Sequence, residues 1–241
     1  MTSQPASLPP HRAASPLAAL RDLWRDPRFY FWCVLFALGF AYVAGVICGR
    51  ANPLLSRKGG YEEIVKLMAT APLLFLLGAR HTLESFDAGW RKLALWSGLG
   101  YVLPFFAGLH WEYLQHISVI NYSLTWSDLT RMHPIGMVVF ACGGVLIAAL
   151  GVYHGVLARR EGILAPYAAS FAGVVVLIAA ITWALHDRYY LHVHHYFLFG
   201  FFIPWARFRN PVSVVCQAFC AGVYVEGVSE WGMASLWALK H

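Results

Sequence analysis

Residues 135–157 read IGMVVFACGGVLIAALGVYHGVL and contain no Asp, Glu, Lys or Arg. An α-helix needs roughly 17–25 apolar residues to cross the hydrocarbon core of a bilayer, so this run is long enough to span it. The whole chain shares this character, because 59% of its 241 residues are hydrophobic and only 12% are charged. A soluble domain carries about 25% charged residues. The sequence therefore predicts an integral membrane protein whose main partner is the lipid bilayer.

Six further apolar segments accompany this run. The stronger ones are residues 29–49, 93–113, 166–186 and 211–228. The weaker ones are 64–79, which carries Lys66 and Pro72, and 193–208, which is short. No run alternates apolar and polar residues over the length of a barrel strand. The sequence predicts an all-α, polytopic membrane helical bundle of about seven transmembrane helices, which forms a single domain over residues 28–241.

The basic residues favour a path with seven spans and a cytoplasmic N-terminus. If 64–79 crosses the membrane, 11 of the 18 Lys and Arg residues lie on the cytoplasmic side; if it does not, only 7 do. Cytoplasmic loops are enriched in Lys and Arg, so the first arrangement is favoured. Because these flanking residues account for the net charge of +6, no nucleic-acid partner is predicted.

The N-terminal segment, residues 1–27, differs from the rest. Residues 1–14 are rich in Pro, Ser and Ala without a hydrophobic period, and we expect them to be disordered. Ser15 and Pro16 then suit the start of a helix. That helix is short and amphipathic, so we expect it to lie on the membrane surface before the first span.

The tract LHDRYYLHVHHYF, residues 185–197, holds four of the eleven histidines between two apolar segments. On the seven-helix path it meets several other polar residues at the extracytoplasmic or lumenal face: His110, Glu112, His116, His133, Glu226 and Glu230. Imidazole is the commonest metal ligand in proteins. An acidic side chain inside a membrane segment points to function by default. The sequence thus predicts a site with metal ligands among His186, His192, His194, His195 and His110, and with Glu226 and Glu230 as catalytic residues.

Helical spacing limits which histidines can cooperate. If the sixth helix starts near Leu191, then His192 and His195 are i,i+3 and share a face. Three protein ligands with one open position are typical of catalytic zinc, and imidazole also suits copper or iron. Haem is not expected, because His110 and His154, the obvious axial pair, are predicted at opposite ends of the membrane.

Two readings of this polar group remain open. In the first, a bound metal, zinc before copper or iron, supports hydrolysis through a metal-bound water or an oxidoreductase reaction. In the second, the protein is a non-catalytic transporter or a structural or assembly subunit of a membrane complex. The histidines would then solvate an interfacial turn, and Glu226 would form an ion pair with Lys66 or Arg188.

Residues 191–232 resemble the multi-span membrane region of LCCL-domain membrane proteins of fungi and protists. The matching positions are His192, His194, His195, Tyr196, Arg207, Gln217, Gly222, Gly227, Trp231 and Gly232. The resemblance implies a membrane-embedded helical region and no particular reaction. The chain departs from that family in having no soluble, cysteine-containing LCCL module.

Overall fold

The computed structural model describes residues 22–49, 60–84, 100–117 and 130–240. Helices account for most of these residues, which confirms the all-α class. The tail at 1–14, the start of the interfacial helix and the first part of the predicted span 93–113 lie outside the described residues. Of the interfacial helix, only its last turn at Asp22–Arg25 is described, and it leads directly into the first long helix.

The helices are named in chain order. Helix α1 (Pro27–Tyr42) continues as a π-helical turn, Val43–Ile47. Helix α2 (Tyr61–Leu74) continues as a π-helical turn, Phe75–Ala79, and a last α-helical turn, Arg80–Leu83. Helix α3 (Leu103–Gly108) precedes a 3-10 helix, Trp111–His116. The remaining helices are α4 (Pro134–Arg160), α5 (Leu164–Ala184), α6 (His195–Phe202) and α7 (Pro211–Trp231).

Two strands, β1 (Tyr189–Leu191) and β2 (Trp237–Leu239), form an antiparallel ribbon in which Tyr190 pairs with Ala238. The ribbon was not predicted, because each strand has only three residues and gives no period that a sequence pattern reveals. It also shows that the expected helix start near Leu191 is wrong. The chain stays extended there, and α6 begins at His195.

Three long helices begin in the same way, with a capping side chain followed by proline. Asp26 accepts from the backbone N–H of Arg28 before Pro27, and His133 Nδ1 accepts from that of Ile135 before Pro134. Asn210 caps α7 in the same manner before Pro211. Proline suits the first helical position because its missing N–H would have no partner there. These caps fix where the apolar segments become helical.

Among the residues that the structure describes, four helical segments are long and apolar enough to cross a membrane: Pro27–Ile47, Pro134–Arg160, Leu164–Ala184 and Pro211–Trp231. Their surroundings differ. Helix α7 is buried along most of its length between α1, α2, α3 and α6. Helix α5 has no buried residue, and α4 has three. Apolar side chains therefore face outward along α4 and α5, as expected of helices that contact lipid.

The helices alternate in direction between two ends of the bundle. We call them the basic end, defined by Arg28, Arg80, Glu84, Arg207 and Arg209, and the histidine end, defined by His110, Glu112, His195, Glu226 and Glu230. Helices α1, α3, α5 and α7 run toward the histidine end, and α2, α4 and α6 run back. The contacts that fix these directions are Thr82–Ala206, His154–Ser213 and Tyr167–Trp205 at the basic end, and Phe40–Ser229, Glu112–Trp231 and Thr182–Trp237 at the histidine end.

Helices α3 and α7 approach each other more closely than ordinary side chains allow. A Cβ added to Gly222 would lie 2.0 Å from the carbonyl oxygen of Phe105, and one added to Gly108 would lie 2.4 Å from that of Phe219. Small residues permit this kind of backbone contact between membrane helices. The contact brings the segment after α3 beside the last turns of α7.

Candidate functional site

Three glutamates meet at the histidine end. Glu112, Glu226 and Glu230 each offer a carboxylate oxygen, and these oxygens lie within 4.8 Å of one another. Within the described ranges they form the one group of three or more His, Cys, Asp or Glu residues placed closely enough to hold a metal ion. Glu226 is completely buried, and the other two are half-buried. The site is therefore set into the protein at the end of the bundle.

Helix geometry and the α3–α7 contact explain why these three meet. Glu226 and Glu230 are four residues apart on α7, so they lie on one face of it. Glu112 belongs to the 3-10 helix that follows α3, and Trp231 Nε1 donates to its Oε2 at 3.3 Å. Its position beside α7 thus depends on the close approach at Gly222.

An imidazole completes the group from a third segment. His195 Nε2 lies 3.2 Å from Glu226 Oε2, and the His195 side chain is 27% exposed while that of Glu226 is 0% exposed. His195 is the first residue of α6, and α6 stays near α7 because Gly227 leaves room for Tyr196. The other oxygen of Glu226, Oε1, is buried and has no hydrogen-bond partner among the described residues.

The electrostatics of this group call for a positive partner. Like charges placed this closely disfavour the ionised forms, so the carboxylates must share protons or bind a cation. A buried polar oxygen without a partner also costs free energy. Carboxylate oxygens suit Mg²⁺, Ca²⁺ and Mn²⁺, whereas imidazole nitrogen suits zinc and iron. Ligand atoms about 2.0–2.2 Å from one ion lie at most about 4.4 Å apart, so the group is close to the spacing of a metal site.

His110 lies at the histidine end but is held by other groups. Its Nδ1 is 2.7 Å from the carbonyl oxygen of Phe106, and its Nε2 is 3.2 Å from the hydroxyl of Tyr42. A carbonyl only accepts, so Nδ1 carries the proton and Nε2 accepts from Tyr42. The imidazole thus links α3 to α1 in this arrangement.

His186, His192 and His194 lie outside the carboxylate group. His186 is exposed, with Nε2 3.0 Å from Asp187 Oδ1 and Nδ1 2.7 Å from the carbonyl oxygen of Trp183. The rings of His192 and His194 stack at 4.3 Å with an interplanar angle of 17°. The nitrogen lone pairs lie in the ring planes, so two stacked rings do not point them at one ion.

The stacking follows from the extended backbone. Alternate residues of an extended chain lie on one face, so the rings of Tyr190, His192 and His194 follow one another, and the ring of Tyr196 in the first turn of α6 continues the row. The expected i,i+3 pairing of His192 with His195 on one helix is wrong for the same reason, because His192 precedes the helix. Of the four histidines in this tract, His195 is the one that contacts Glu226.

The ion-pair alternatives for Glu226 also differ from the structure. Lys66 Nζ bonds to Glu63 Oε1 at 2.6 Å, and Arg188 is exposed just before β1. In the described part of the chain, the basic group that contacts Glu226 is His195, at 3.2 Å. Glu112 was placed at this face from the sequence but not chosen as a site residue. Because Glu112 is two residues from His110, the two side chains do not share a helical face. Only the packing of α3 on α7 brings Glu112 to the other two carboxylates.

No protein family, curated protein or solved structure matches this chain. The site is therefore interpreted from its geometry alone.

Proposed function

We propose that the chain is a seven-span integral membrane protein with a cytoplasmic N-terminus, whose histidine end binds one divalent metal ion. Support for the path comes from the alternating helix directions and from the arginines gathered at the basic end. Support for the metal comes mainly from Glu226, a fully buried carboxylate with one oxygen on His195 and the other without a partner among the described residues.

The proposed ligands are Glu112, Glu226, Glu230 and His195. This set keeps Glu226, Glu230 and His195 from the sequence prediction and replaces the remaining histidines with Glu112. Zinc remains the first candidate, before copper or iron. With three oxygen donors, Mn²⁺ and Fe²⁺ compete more strongly than they would at a histidine-rich site.

A bound zinc would lower the pKa of a coordinated water toward about 7 and so supply a nucleophile. If Glu112, Glu226 and His195 hold the ion and leave its fourth position to that water, Glu230 would serve as the base that takes the proton. A membrane-embedded hydrolase is thus the first catalytic reading, and an oxidoreductase would need iron or copper. A transporter or an assembly subunit fits the same ligands without a reaction, because a buried carboxylate can also bind a transported cation or stabilise a bundle.

Metal analysis of purified full-length protein tests the proposal. We expect about one zinc, manganese or iron per chain after reconstitution, and loss of that metal in Glu226→Gln, which keeps the shape of the side chain but removes its charge. Glu62→Gln is the matched control, because Glu62 is an exposed glutamate at the same end of the bundle. A wild-type protein that binds none of these metals, or Glu226→Gln that binds as much as wild type, would contradict the metal site.

A further inference from the structure

The turn between α6 and α7 forms a second polar site, at the basic end. Arg207 and Arg209 from this turn, His81 from α2 and Glu161 from the end of α4 line a cavity of about 200 Å³. The cavity lies where α4 ends and α5 begins, at one end of these two long apolar helices. It shares no residue with the carboxylate group at the histidine end.

The arginines near this cavity are not equally neutralised. Arg209 forms an ion pair with Glu84, and Arg28 Nε lies 2.8 Å from Asp26 Oδ1. Arg80 Nε is 3.7 Å from the same carboxylate. Arg207 is half-buried and has neither a hydrogen bond nor an ion pair with any residue that the structure describes. A guanidinium in that state has five donors available for an anion.

The positive charges of the nearby arginines act on His81, which lines the same cavity as Arg207. Burial lowers the pKa of His81 to about 4, and the charges of Arg207, Arg209, Arg80 and Arg28 contribute to the same shift. A positive potential that disfavours the imidazolium favours an anion at the same place. Glu161 also lines the cavity, and its carboxylate opposes an anion.

A cluster of aromatic side chains lies at the same end of the bundle and is of the kind found at membrane interfaces. Tyr167 donates to the carbonyl oxygen of Trp205 at 2.9 Å, and its ring contacts that of Trp205 edge to face. Phe171 and Phe201 extend the same cluster. Tyr and Trp are enriched at the level of lipid headgroups.

We propose that Arg207, with Arg209 and His81, binds a phosphate group at the basic end, either of an anionic lipid headgroup or of free phosphate. The planar guanidinium matches two phosphate oxygens at once, and charge-assisted bonds of this kind are about twice as strong as neutral ones. The tetrahedral anion would supply the partner that Arg207 lacks among the described residues.

Two binding measurements on the full chain in phosphatidylcholine nanodiscs test the proposal and separate the two sources. In the first, phosphatidic acid is included, and native mass spectrometry counts the lipid that each protein retains. In the second, inorganic phosphate is titrated by calorimetry. We expect binding in at least one measurement, weakened about tenfold or more by Arg207→Gln, since one charge-assisted contact is lost. Binding in the first alone identifies the lipid as the source, and binding in the second identifies free phosphate.

Three further variants control the interpretation. Arg160→Gln removes an exposed arginine from the same end and should bind like wild type. Arg207→Lys keeps the charge and should retain partial binding, which shows that the turn still folds. Glu161→Gln should bind more tightly. Equal binding by wild type and Arg207→Gln in both measurements, or an equal loss in Arg160→Gln, would overturn the proposal.

Discussion

The side chain of Glu226 lies wholly inside the protein, yet only one of its oxygens has a hydrogen-bond partner among the described residues. Removing a carboxylate from water costs several kcal/mol unless it is paired. His195 supplies part of that pairing from the first turn of α6 and remains partly exposed itself. The pair therefore connects a buried carboxylate at the histidine end to the protein surface.

His81 makes a testable contribution to stability at the basic end, just beyond the segment 64–79. Its pKa in the folded protein is about 4, against an ordinary value of 6.5. Folding therefore favours the neutral imidazole, and this contribution is complete above pH 6.5 and is lost as the pH falls through about 4. We expect the melting temperature of His81→Gln to fall less than that of wild type between pH 7 and pH 4.

The control for this prediction is His186→Gln, which removes an exposed histidine from the opposite end. Its melting temperature should follow the wild-type pH profile. If His81→Gln keeps the full wild-type decrease between pH 7 and pH 4, then burial and the neighbouring charges do not lower the pKa of His81 as the structure indicates.

At the scale of elements, the close contact between α3 and α7 holds the segment that carries Glu112 beside α7. Gly222→Ala places a Cβ 2.0 Å from a backbone oxygen of α3, which cannot move away as a flexible side chain could. We expect a loss of about 1–3 kcal/mol of stability, as for other overpacked cores. Metal binding should weaken as well, because Glu112 moves away from α7 with the segment after α3. Thermal unfolding and metal titration measure the two effects.

Gly143→Ala is the matched control, since no atom lies within 4 Å of its added Cβ. Alanine is the better helix former by about 1 kcal/mol, so this variant should be as stable as wild type or more stable. Equal stability and equal metal affinity in Gly222→Ala and Gly143→Ala would show that the α3–α7 contact does not position Glu112.

The sequence was most informative about elements with long, uniform patterns. The apolar runs at 135–157 and 166–186 correspond to α4 and α5, because a membrane helix needs little besides length and hydropathy. The seven-helix path drawn from the sequence also placed Glu226, Glu230 and His195 at one end. The start of α6 did not, since the ribbon before it depends on pairing with Trp237–Leu239, far along the chain. Glu112 likewise needed the α3–α7 packing, which depends on two glycines from distant parts of the sequence.

At the scale of the whole molecule, the two ends differ in chemistry. The basic end carries arginines, an aromatic cluster and the proposed phosphate site, and the histidine end carries the carboxylates and imidazoles. Charged clusters of opposite character at the two ends of a helical bundle are expected if those ends lie in different compartments, because Lys and Arg accumulate on the cytoplasmic side.

Labelling from each side of the membrane tests this path directly. Arg25 lies exposed beside the start of α1 at the basic end, and Lys240 lies exposed beside the ribbon at the histidine end. Seven spans put these positions on opposite sides, whereas the four clear apolar helices alone would put them on the same side. We therefore expect a membrane-impermeant maleimide to label Arg25→Cys and Lys240→Cys from opposite faces of sealed vesicles. The native cysteines all lie in apolar segments and provide the background value in the unmodified chain. Labelling of both variants from the same face would require an even number of spans and would exclude the seven-helix arrangement.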